Sequence, residues 1–280
     1  MSSRRLLTTS SFVFTLTGGF PVERQGNAYT ILFTLGAAFI CALLLALASQ
    51  VLKARQELAM EADVMRNILQ ATGLLGGEEI LCGSVNLSAK QCKDIKCCYE
   101  ENIHSYLVDR NGTIIKDESI RAERIDLARE MEKPAGKGMF PVFTAVKNGK
   151  VTAYCFPVFG KGLWSSIYGY LALRDDLDTV LGITFHKHGE TPGLGGEIQS
   201  AGFRNSFTGK KIFKAGKDLV SVTVLKGQVN PDLPGAVHQV DGITGATITA
   251  RGVTRLLKKS LEIYEPHIRL VKKGGVHGLR

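Results

Sequence analysis

The sequence lacks the glycine-rich loops with which many enzymes hold nucleotide phosphates. No G-x-G-x-x-G follows a predicted strand and no G-x-x-x-x-G-K-[ST] loop is present, so the chain offers no recognised site for a soluble hydride donor or a nucleoside triphosphate. A nucleophile elbow with Ser, His and Asp partners is also missing, which argues against a serine hydrolase. Because internal repeats and low-complexity tracts are absent too, the chain is expected to contain a compact folded region.

A basic run with interleaved aromatic residues, typical of a nucleic-acid interface, is absent as well. The 35 lysine and arginine residues exceed the 26 acidic residues and give a net charge of +9, but these charges are dispersed along the chain. Dispersed charge is typical of a solvated surface. We therefore expect no nucleic-acid partner.

The sequence does contain one long uncharged apolar run near its N-terminus. Residues 29–51, YTILFTLGAAFICALLLALASQV, are enough at about 1.5 Å per residue to cross a hydrocarbon core of about 30 Å. The run is longer than the h-region of about 7–15 residues in cleaved signal peptides, which favours a retained transmembrane helix. Arg4, Arg5 and Arg24 precede the run, and this weak excess of positive charge favours a cytoplasmic N-terminus.

The six cysteines are unevenly distributed. Cys82, Cys92, Cys97 and Cys98 form a cluster, which in an oxidising compartment favours structural disulfides, with zinc or an iron–sulfur centre as the alternative. Their spacing matches no standard metal motif, so disulfides are the favoured interpretation and no resident metal is expected. Cys155, inside the apolar run VTAYCFPVF, is expected to be a small buried side chain.

Helical and strand patterns follow the apolar run. Residues 53–70 are rich in helix formers and predict an amphipathic helix that continues from the span. The Asn111-Gly112 pair predicts a β-hairpin, because this pair tolerates positive φ. Further strands are expected at residues 151–159, 167–173, 179–185 and 219–225, and an amphipathic helix from about residue 253. The prediction is an α+β region with an antiparallel or mixed sheet and a C-terminal helix.

Residues 240–250, VDGITGATITA, place small and hydroxyl side chains directly before that final helix. A helix N-terminus presents unpaired N–H groups and the positive end of the helix dipole, and Gly245 lets the backbone approach a bound group closely. This arrangement suits a phosphate. From the residues alone, however, threonines at such a point are more often N-caps, and Thr249 is then the expected cap.

Two further segments bear on function. Residues 186–197, HKHGETPGLGGE, predict an irregular loop, for which the alternatives are a plain surface loop and a metal site formed by His186, His188 and Glu190. The segment GLWS holds Trp164, the one tryptophan of the chain. On composition alone Trp164 is expected to anchor the core.

These three segments resemble a known family. Residues 241–247, DGITGAT, look like the flavinylation motif D-x-x-[ST]-G-A-[ST], whose last hydroxyl residue receives flavin mononucleotide (FMN) as a phosphoester. The loop ETPGLGGE is similar to the loop that covers the flavin in the C subunit of the sodium-translocating NADH:quinone oxidoreductase and in the related G subunit of Rnf complexes. The C subunit has a similar GLW segment before a strand. Because the three motifs agree in order, the chain is identified as a member of this FMN-binding family.

The resemblance implies a covalent cofactor and a set of residues around it. A flavin transferase that uses flavin adenine dinucleotide and a bound metal would attach FMN to Thr247. The other cofactor-binding residues that the resemblance implies are Asp241, Thr244, Gly245 and Ala246 of the motif, Glu190, Thr191, Gly193 and Leu194 of the loop, Trp164, and Lys226, for which a solvated lysine is the alternative. Leu194 would face the flavin ring and Thr191 would supply polar contacts.

The resemblance also implies an organisation and a function. A cytoplasmic segment at 1–28 would be followed by the transmembrane helix at 29–51, a helix and cysteine-bearing region at 52–104, and an FMN-binding domain at 105–280 on the periplasmic side of a bacterial inner membrane. The protein would relay electrons in a complex of several subunits that oxidises NADH, reduces quinone and exports sodium, without an NADH site of its own. The alternatives are an Rnf G subunit and a membrane-anchored flavin-binding sensor. Residues 78–100 do not match the family pattern and are expected to be an insertion stapled by disulfides.

Overall fold

The structure is a computed structural model that describes residues 26–76, 79–80, 94–115, 117, 119–134 and 136–274. The chain divides into two compact units at Gln56 and Glu57, and helix α1, Asn27–Ala71, begins in the first and ends in the second. Within α1 the stretch Tyr29–Lys53 has a mean hydropathy of 2.7 and is long and apolar enough to cross a membrane. The domain boundaries expected at residues 28, 51 and 104 stay predictions.

The described residues form an α+β fold, as the sequence predicted. The helices after α1 are α2 Ile95–Asn102, α3 Leu127–Glu132, α4 Ala201–Asn205 and α5 Thr247–Lys272, with 3-10 turns at Ala122–Arg124, Gly195–Gln199 and Pro234–His238. The strands are β1 Leu75–Gly76, β2 Glu79–Ile80, β3 Ile103–Val108, β4 Ile114–Ile115, β5 Phe140–Lys147, β6 Lys150–Lys161, β7 Ser166–Arg174, β8 Val180–Lys187, β9 Phe213–Lys214, β10 Asp218–Leu219, β11 Thr223–Val224 and β12 Gln239–Val240.

Six of these strands make one antiparallel sheet in the order β4-β3-β5-β6-β7-β8. The hairpin predicted at Asn111 and Gly112 joins β3 to β4, and Gly112 has the expected positive φ, 83°. The short strands form separate pairs, antiparallel for β1 with β2 and for β9 with β10, and parallel for β11 with β12.

The prediction of one continuous strand at residues 219–225 is wrong. The stretch is divided between β10 and β11, because Ser221 has a φ of 64°, a left-handed conformation that an extended strand does not contain. The N–H groups of Val220 and Ser221 both donate to the Ile212 carbonyl at 2.9 Å. The apolar alternation is still used, since Val222 is buried, but the backbone bends back at Ser221.

Helix α5 covers one face of the sheet and packs mainly against β6. Its apolar residues recur at three- and four-residue spacing, as predicted. The Tyr264 ring is fully buried, with its centroid 4.9 Å from that of Phe156 and 6.2 Å from that of Phe140. The other buried large apolar residues of α5 are Val253, Leu256, Leu257, Leu261 and Ile268. This layer holds the larger of the two cores.

The second core lies on the opposite face, where side chains of β5 and β6 alternate away from α5. Ile68 and Leu69, near the end of α1, pack into it with Phe143 and Cys155. Cys155 is fully buried, as predicted, and burial raises the pKa of its thiol. The Cys155 thiol therefore stays protonated and acts as an apolar side chain.

The clustered cysteines are oxidised where the structure describes them. Cys97 and Cys98 in α2 each take part in a disulfide. Asp94 caps this helix, because its side chain accepts the Cys97 N–H at 2.7 Å. The disulfide interpretation is therefore confirmed for these two residues. Cys82 and Cys92 lie outside the described residues.

Strand β6 extends beyond the part of β5 that pairs with it. The β5–β6 pairing reaches Cys155, whereas the β6–β7 pairing continues to the end of β6. Past that point the Phe159 N–H donates to Ser260 Oγ of α5 at 3.1 Å. Backbone N–H groups point to alternate sides along a strand, so the nitrogens of Pro157 and Phe159 face the same side of β6. Pro157 has no N–H to donate, and its nitrogen faces the side on which β5 makes no ladder bond. Ser260 of α5 therefore supplies an acceptor for the Phe159 N–H, which β5 does not pair.

A buried histidine links the first hairpin to the end of α5. His267 is fully buried, its Nδ1 lies 2.9 Å from the Gly112 carbonyl oxygen, and its Nε2 lies 2.8 Å from the Tyr106 hydroxyl. A carbonyl only accepts, so Nδ1 carries a proton, and in the neutral imidazole Nε2 then accepts from the Tyr106 hydroxyl. Burial lowers the pKa of His267, although its hydrogen bond to Gly112 raises it.

The fold is expected to lose stability as pH falls because of this histidine. The unfolded chain binds the proton at the ordinary pKa of about 6.5 and the folded chain only at lower pH, so the free energy of unfolding decreases between those values by up to about 1.4 kcal/mol per pH unit. His186, whose pKa burial also lowers, contributes with the same sign.

Urea unfolding of the full chain in detergent, at about pH 7.5 and about pH 5, measures this loss. We expect a smaller difference between the two pH values in His267→Gln than in the parent. His104 is exposed, so His104→Gln should keep the parent's difference. An unchanged difference in His267→Gln would show that this histidine does not titrate on unfolding.

Candidate functional site

The candidate site lies where β12 leads into α5. Residues 241–246 form a turn that is closed by the Ala246 N–H, which donates to the Ile243 carbonyl at 3.1 Å. Gly245 has a φ of 78°, a conformation that glycine adopts more readily than any residue with a Cβ. The sequence of small residues therefore allows a sharp change from strand to helix at this point.

The loop after β11 lies beside this turn. Asp241 Oδ1 accepts the Val229 N–H at 2.7 Å and so ties that loop to the start of the motif. A Cβ added to Gly242 would lie 3.0 Å from the carbonyl carbon of Lys226, so the two backbones are in close contact. Lys226 and Thr244 both have exposed side chains. The structure thus places Lys226 next to the motif with its side chain at the surface.

Helix α5 begins at Thr247, earlier than the residues alone predicted. Its N-cap is Ala246, and no side chain caps the first turn. Thr249 lies inside that turn and is buried, and its hydroxyl donates to the Glu190 carboxylate at 2.5 Å. The expectation that Thr249 is the N-cap is therefore wrong, because its hydroxyl has a charged acceptor in another loop and the preceding turn already forms the start of the helix.

The uncapped start of α5 is an anion-binding geometry. Ala250 makes the first helical hydrogen bond, from its N–H to the Ala246 carbonyl at 2.9 Å. The N–H groups of Thr247, Ile248 and Thr249 precede it, at the positive end of the dipole of a 26-residue helix. Thr247 is half-buried and carries its hydroxyl in this first turn. A phosphate joined to that hydroxyl would meet the helix end that favours negative charge.

Glu190 places a buried carboxylate directly behind this turn. Its Oε1 accepts the backbone N–H groups of Trp164 at 3.0 Å, Leu163 at 3.1 Å and Ser165 at 3.3 Å, and its Oε2 accepts the Thr249 hydroxyl. Desolvation by burial raises the pKa of this carboxyl, but the hydrogen bonds from Thr249 and the three N–H groups outweigh it, and the pKa lies below its ordinary value. Glu190 is therefore ionised at neutral pH.

Apolar side chains are exposed around the start of α5. Trp164 is 72% exposed, Ile248 51%, Leu163 45% and Leu194 44%. The expectation that Trp164 anchors the core is wrong, because it lies in the tight turn between β6 and β7, whose backbone is held by Glu190 while the indole projects outward. A cluster of exposed apolar side chains beside polar groups is typical of a site that binds a ligand or partner.

The loop after β8 reaches the motif through Leu194. The Thr191 carbonyl accepts the N–H groups of Leu194 at 3.1 Å and Gly196 at 2.9 Å, and Gly193 has a φ of 73° that this tight turn requires. A Cβ added to Gly245 would lie 2.8 Å from Leu194 Cδ2, so Leu194 rests on that glycine. Thr191 is exposed. The loop therefore brings Leu194 to the motif and leaves Thr191 at the surface.

The alternative metal site in this loop has no support in the geometry. The His186 ring stacks on the Tyr170 ring with centroids 5.3 Å apart, and His188 Nδ1 accepts the Glu190 N–H at 3.2 Å. The Glu190 oxygens face N–H and O–H donors. Within the described part of the chain, no group of three or more His, Cys, Asp or Glu residues could hold a metal ion.

Sequence reasoning missed the glycines that let these segments approach. A Cβ on Gly162 would meet the Glu190 carboxylate, and a Cβ on Gly252 would lie 2.7 Å from the Lys161 carbonyl oxygen and 3.1 Å from the Gly162 Cα. The second turn of α5 therefore rests directly on the start of the turn at residues 162–165, called the GLW turn below. The available signal was Gly252 itself, since a glycine inside a helix costs about 1 kcal/mol and often marks close packing.

These residues fall in a region that matches a known family model. Residues 162–262 match the FMN-binding domain. Over 251 residues the chain is 34% identical to the C subunit of the Na(+)-translocating NADH-quinone reductase of Pseudomonas aeruginosa, an alignment that covers 84% of this chain and 91% of that relative. The chain belongs to this C subunit family.

Other C subunits agree with this assignment. That of Haemophilus ducreyi is 33% identical over 235 residues, covering 79% of this chain and 84% of the relative. The crystal structure of the C subunit from Parabacteroides distasonis matches with a TM-score of 0.62 at 32% identity, covering 78% of this chain and 96% of that one. Shewanella oneidensis NqrC also gives a TM-score of 0.62, with 77% and 99% coverage, and at 24% identity it shows the fold alone.

Membership of the C subunit family confirms the resemblance found in the three motifs, and the solved relative confirms the α+β fold. The FMN-binding domain fits the role of an electron carrier. Together with family membership, the apolar stretch Tyr29–Lys53 suggests a membrane anchor.

Proposed function

We propose that this chain carries FMN bonded through its phosphate to Thr247 and relays electrons between other subunits of a membrane NADH:quinone oxidoreductase that exports sodium. The observation that carries the proposal is the uncapped start of α5, where Thr247 stands in the first turn. One helix would anchor the chain in a bacterial inner membrane, with the flavin domain on the periplasmic side.

The start of α5 fits a phosphodiester. Thr247 is half-buried and is followed by the exposed Ile248, so a modifying enzyme would reach its hydroxyl from the solvent side. A flavin transferase would move the FMN unit of flavin adenine dinucleotide onto Thr247 Oγ1, and adenosine monophosphate would leave with the hydroxyl proton. The helix dipole then stabilises the new negative charge by about 0.3–1 kcal/mol at an exposed site.

The exposed apolar side chains fit a flavin ring. Leu194 and Trp164 would bury exposed apolar surface against the ring. Removing this surface from water favours binding in proportion to the area buried. Thr191 and Lys226, exposed nearby, would supply polar contacts. When bound, FMN supplies the electron-transfer chemistry, and the chain orients the cofactor and keeps it from being lost.

The absence of a dinucleotide-binding loop favours a relay over direct oxidation of NADH. Electrons would therefore arrive from an NADH-oxidising subunit and leave toward a quinone-reducing one. Relatives of this chain are named as subunits of NADH-quinone reductase, which supports such a partnership.

Membranes that contain the complex test the relay. On addition of NADH we expect the flavin absorbance of this chain, taken as the difference between parent and Thr247→Ala membranes, to bleach within one turnover and to return when quinone is added. Thr247→Ala membranes should lose NADH:quinone reductase activity. A flavin that stays oxidised through many turnovers would instead indicate a sensor.

A further inference from the structure

Glu190 joins three segments that are far apart in the sequence. It lies in the loop after β8, and its four donors belong to the GLW turn after β6 and to the first turn of α5. The partners Glu190 and Thr249 are 59 residues apart, and Glu190 and Leu163 are 27 apart. One carboxylate therefore fixes the mutual positions of the elements that carry Trp164, Leu194 and Thr247.

The packing around this carboxylate leaves little freedom. Glu190 is 5% exposed and Thr249 is 1% exposed. A Cβ on Gly195 would lie 2.6 Å from Thr249 Oγ1 and 3.0 Å from Glu190 Oε2, and a Cβ on Gly162 would meet Glu190 Oε1. Both oxygens of Glu190 are thus enclosed by backbone and already accept hydrogen bonds. A direct polar contact from Glu190 to the flavin would have to break them.

We propose that Glu190 and Thr249 are a positioning pair, which touches no cofactor atom but holds the GLW turn and the Leu194 loop against the helix that presents Thr247. The flavin part of this inference rests on the proposed function. The positions of the Trp164 and Leu194 side chains, and through them the surroundings of the flavin ring, depend on this pair. Attachment at Thr247 does not require it.

Four variants separate the pair from its surroundings. Glu190→Gln keeps the shape but removes the charge and turns one acceptor oxygen into an NH2 group. If the amide oxygen keeps the three N–H donors of Oε1, the NH2 group takes the place of Oε2 and can accept from neither the Thr249 hydroxyl nor the Leu163 N–H. Thr249→Val removes the hydroxyl at nearly constant volume, and Thr249→Ser restores it. Glu197→Gln makes the same chemical change as Glu190→Gln at an exposed position of the same loop, and serves as the control.

The first measurement uses Trp164, the chain's only tryptophan, in full-length protein that carries Thr247→Ala and so lacks the proposed attachment hydroxyl. We expect lower tryptophan anisotropy and stronger iodide quenching in Glu190→Gln and, to a smaller extent, in Thr249→Val. Thr249→Ser and Glu197→Gln should match the parent. Unchanged anisotropy in both Glu190→Gln and Thr249→Val would overturn the proposal, and if Glu190→Gln does not fold, Thr249→Val decides alone.

The second measurement uses protein matured with the flavin transferase. In Glu190→Gln we expect a flavin band of parental intensity on a denaturing gel, together with a shifted flavin midpoint potential and lower flavin anisotropy in the native protein. If the flavin band is lost in Glu190→Gln but present in the parent and the control, the claim that attachment at Thr247 does not require the pair is wrong. A band missing from the parent would contradict the proposed function, and the Trp164 measurement would still test the pair.

Discussion

Replacing Thr247 by alanine is expected to leave a chain without any flavin after denaturation. The proposed bond is a phosphoester to Thr247 Oγ1, and alanine has no hydroxyl to form it. The fold should persist, because position 247 is half-buried at the first residue of α5 and alanine is the best helix former. The expected loss of covalent flavin is therefore complete, with little loss of stability.

A denaturing gel viewed under ultraviolet light measures this result after co-expression with a flavin transferase. The parent band should fluoresce and the Thr247→Ala band should be dark. Thr247→Ser keeps an alcohol and should retain fluorescence. Thr152→Ala, at an exposed position on β6, loses the same atoms far along the sheet and should be as bright as the parent. A bright Thr247→Ala band would place the flavin elsewhere.

Gly252→Ala is expected to destabilise the fold although alanine favours helices. The added Cβ would lie 2.7 Å from the Lys161 carbonyl oxygen, a backbone atom that cannot move without shifting the GLW turn or α5. Overpacking of this kind costs about 1–3 kcal/mol of stability, whereas replacing a helical glycine by alanine gains about 1 kcal/mol. The contact is with backbone, so we expect a cost near the upper end of the overpacking range and a net loss of stability. Urea unfolding of the full chain in detergent measures the net loss.

Gly202→Ala in α4 is the matched control. Nothing lies within 4 Å of a Cβ added there, so the same substitution should leave stability unchanged or slightly higher. The opposite signs of the two changes test whether α5 rests on the GLW turn. If Gly252→Ala is as stable as Gly202→Ala, the close contact does not constrain the helix.

The elements that sequence predicted well are those with strong local signals. The apolar run, the Asn111-Gly112 hairpin and the amphipathic face of α5 depend on neighbours within one element, and all three are present. Family membership was also predicted, because the three motifs are short and local. The division of residues 219–225 was missed because the strand pattern is local, whereas the bend at Ser221 depends on the Ile212 carbonyl.

The candidate site was predicted in composition but not in arrangement. Thr249 was expected to cap its own helix and instead donates to Glu190, which lies 59 residues earlier. Trp164 was expected in the core because most tryptophans bury their rings, yet its turn stands at the end of a hairpin. Both outcomes depend on contacts between distant segments, which neither periodicity nor spacing along the chain reports.

The unpaired second half of β6 has a consequence for the integrity of the protein. A bare strand edge is a template on which another chain can add a strand. Here Ser260 of α5 accepts the Phe159 N–H, and Leu256 of α5 packs directly on Gly160. The helix that begins at Thr247 thus also shields this edge, so a chain in which α5 has detached would expose the edge to other chains at the same time as it loses the candidate site.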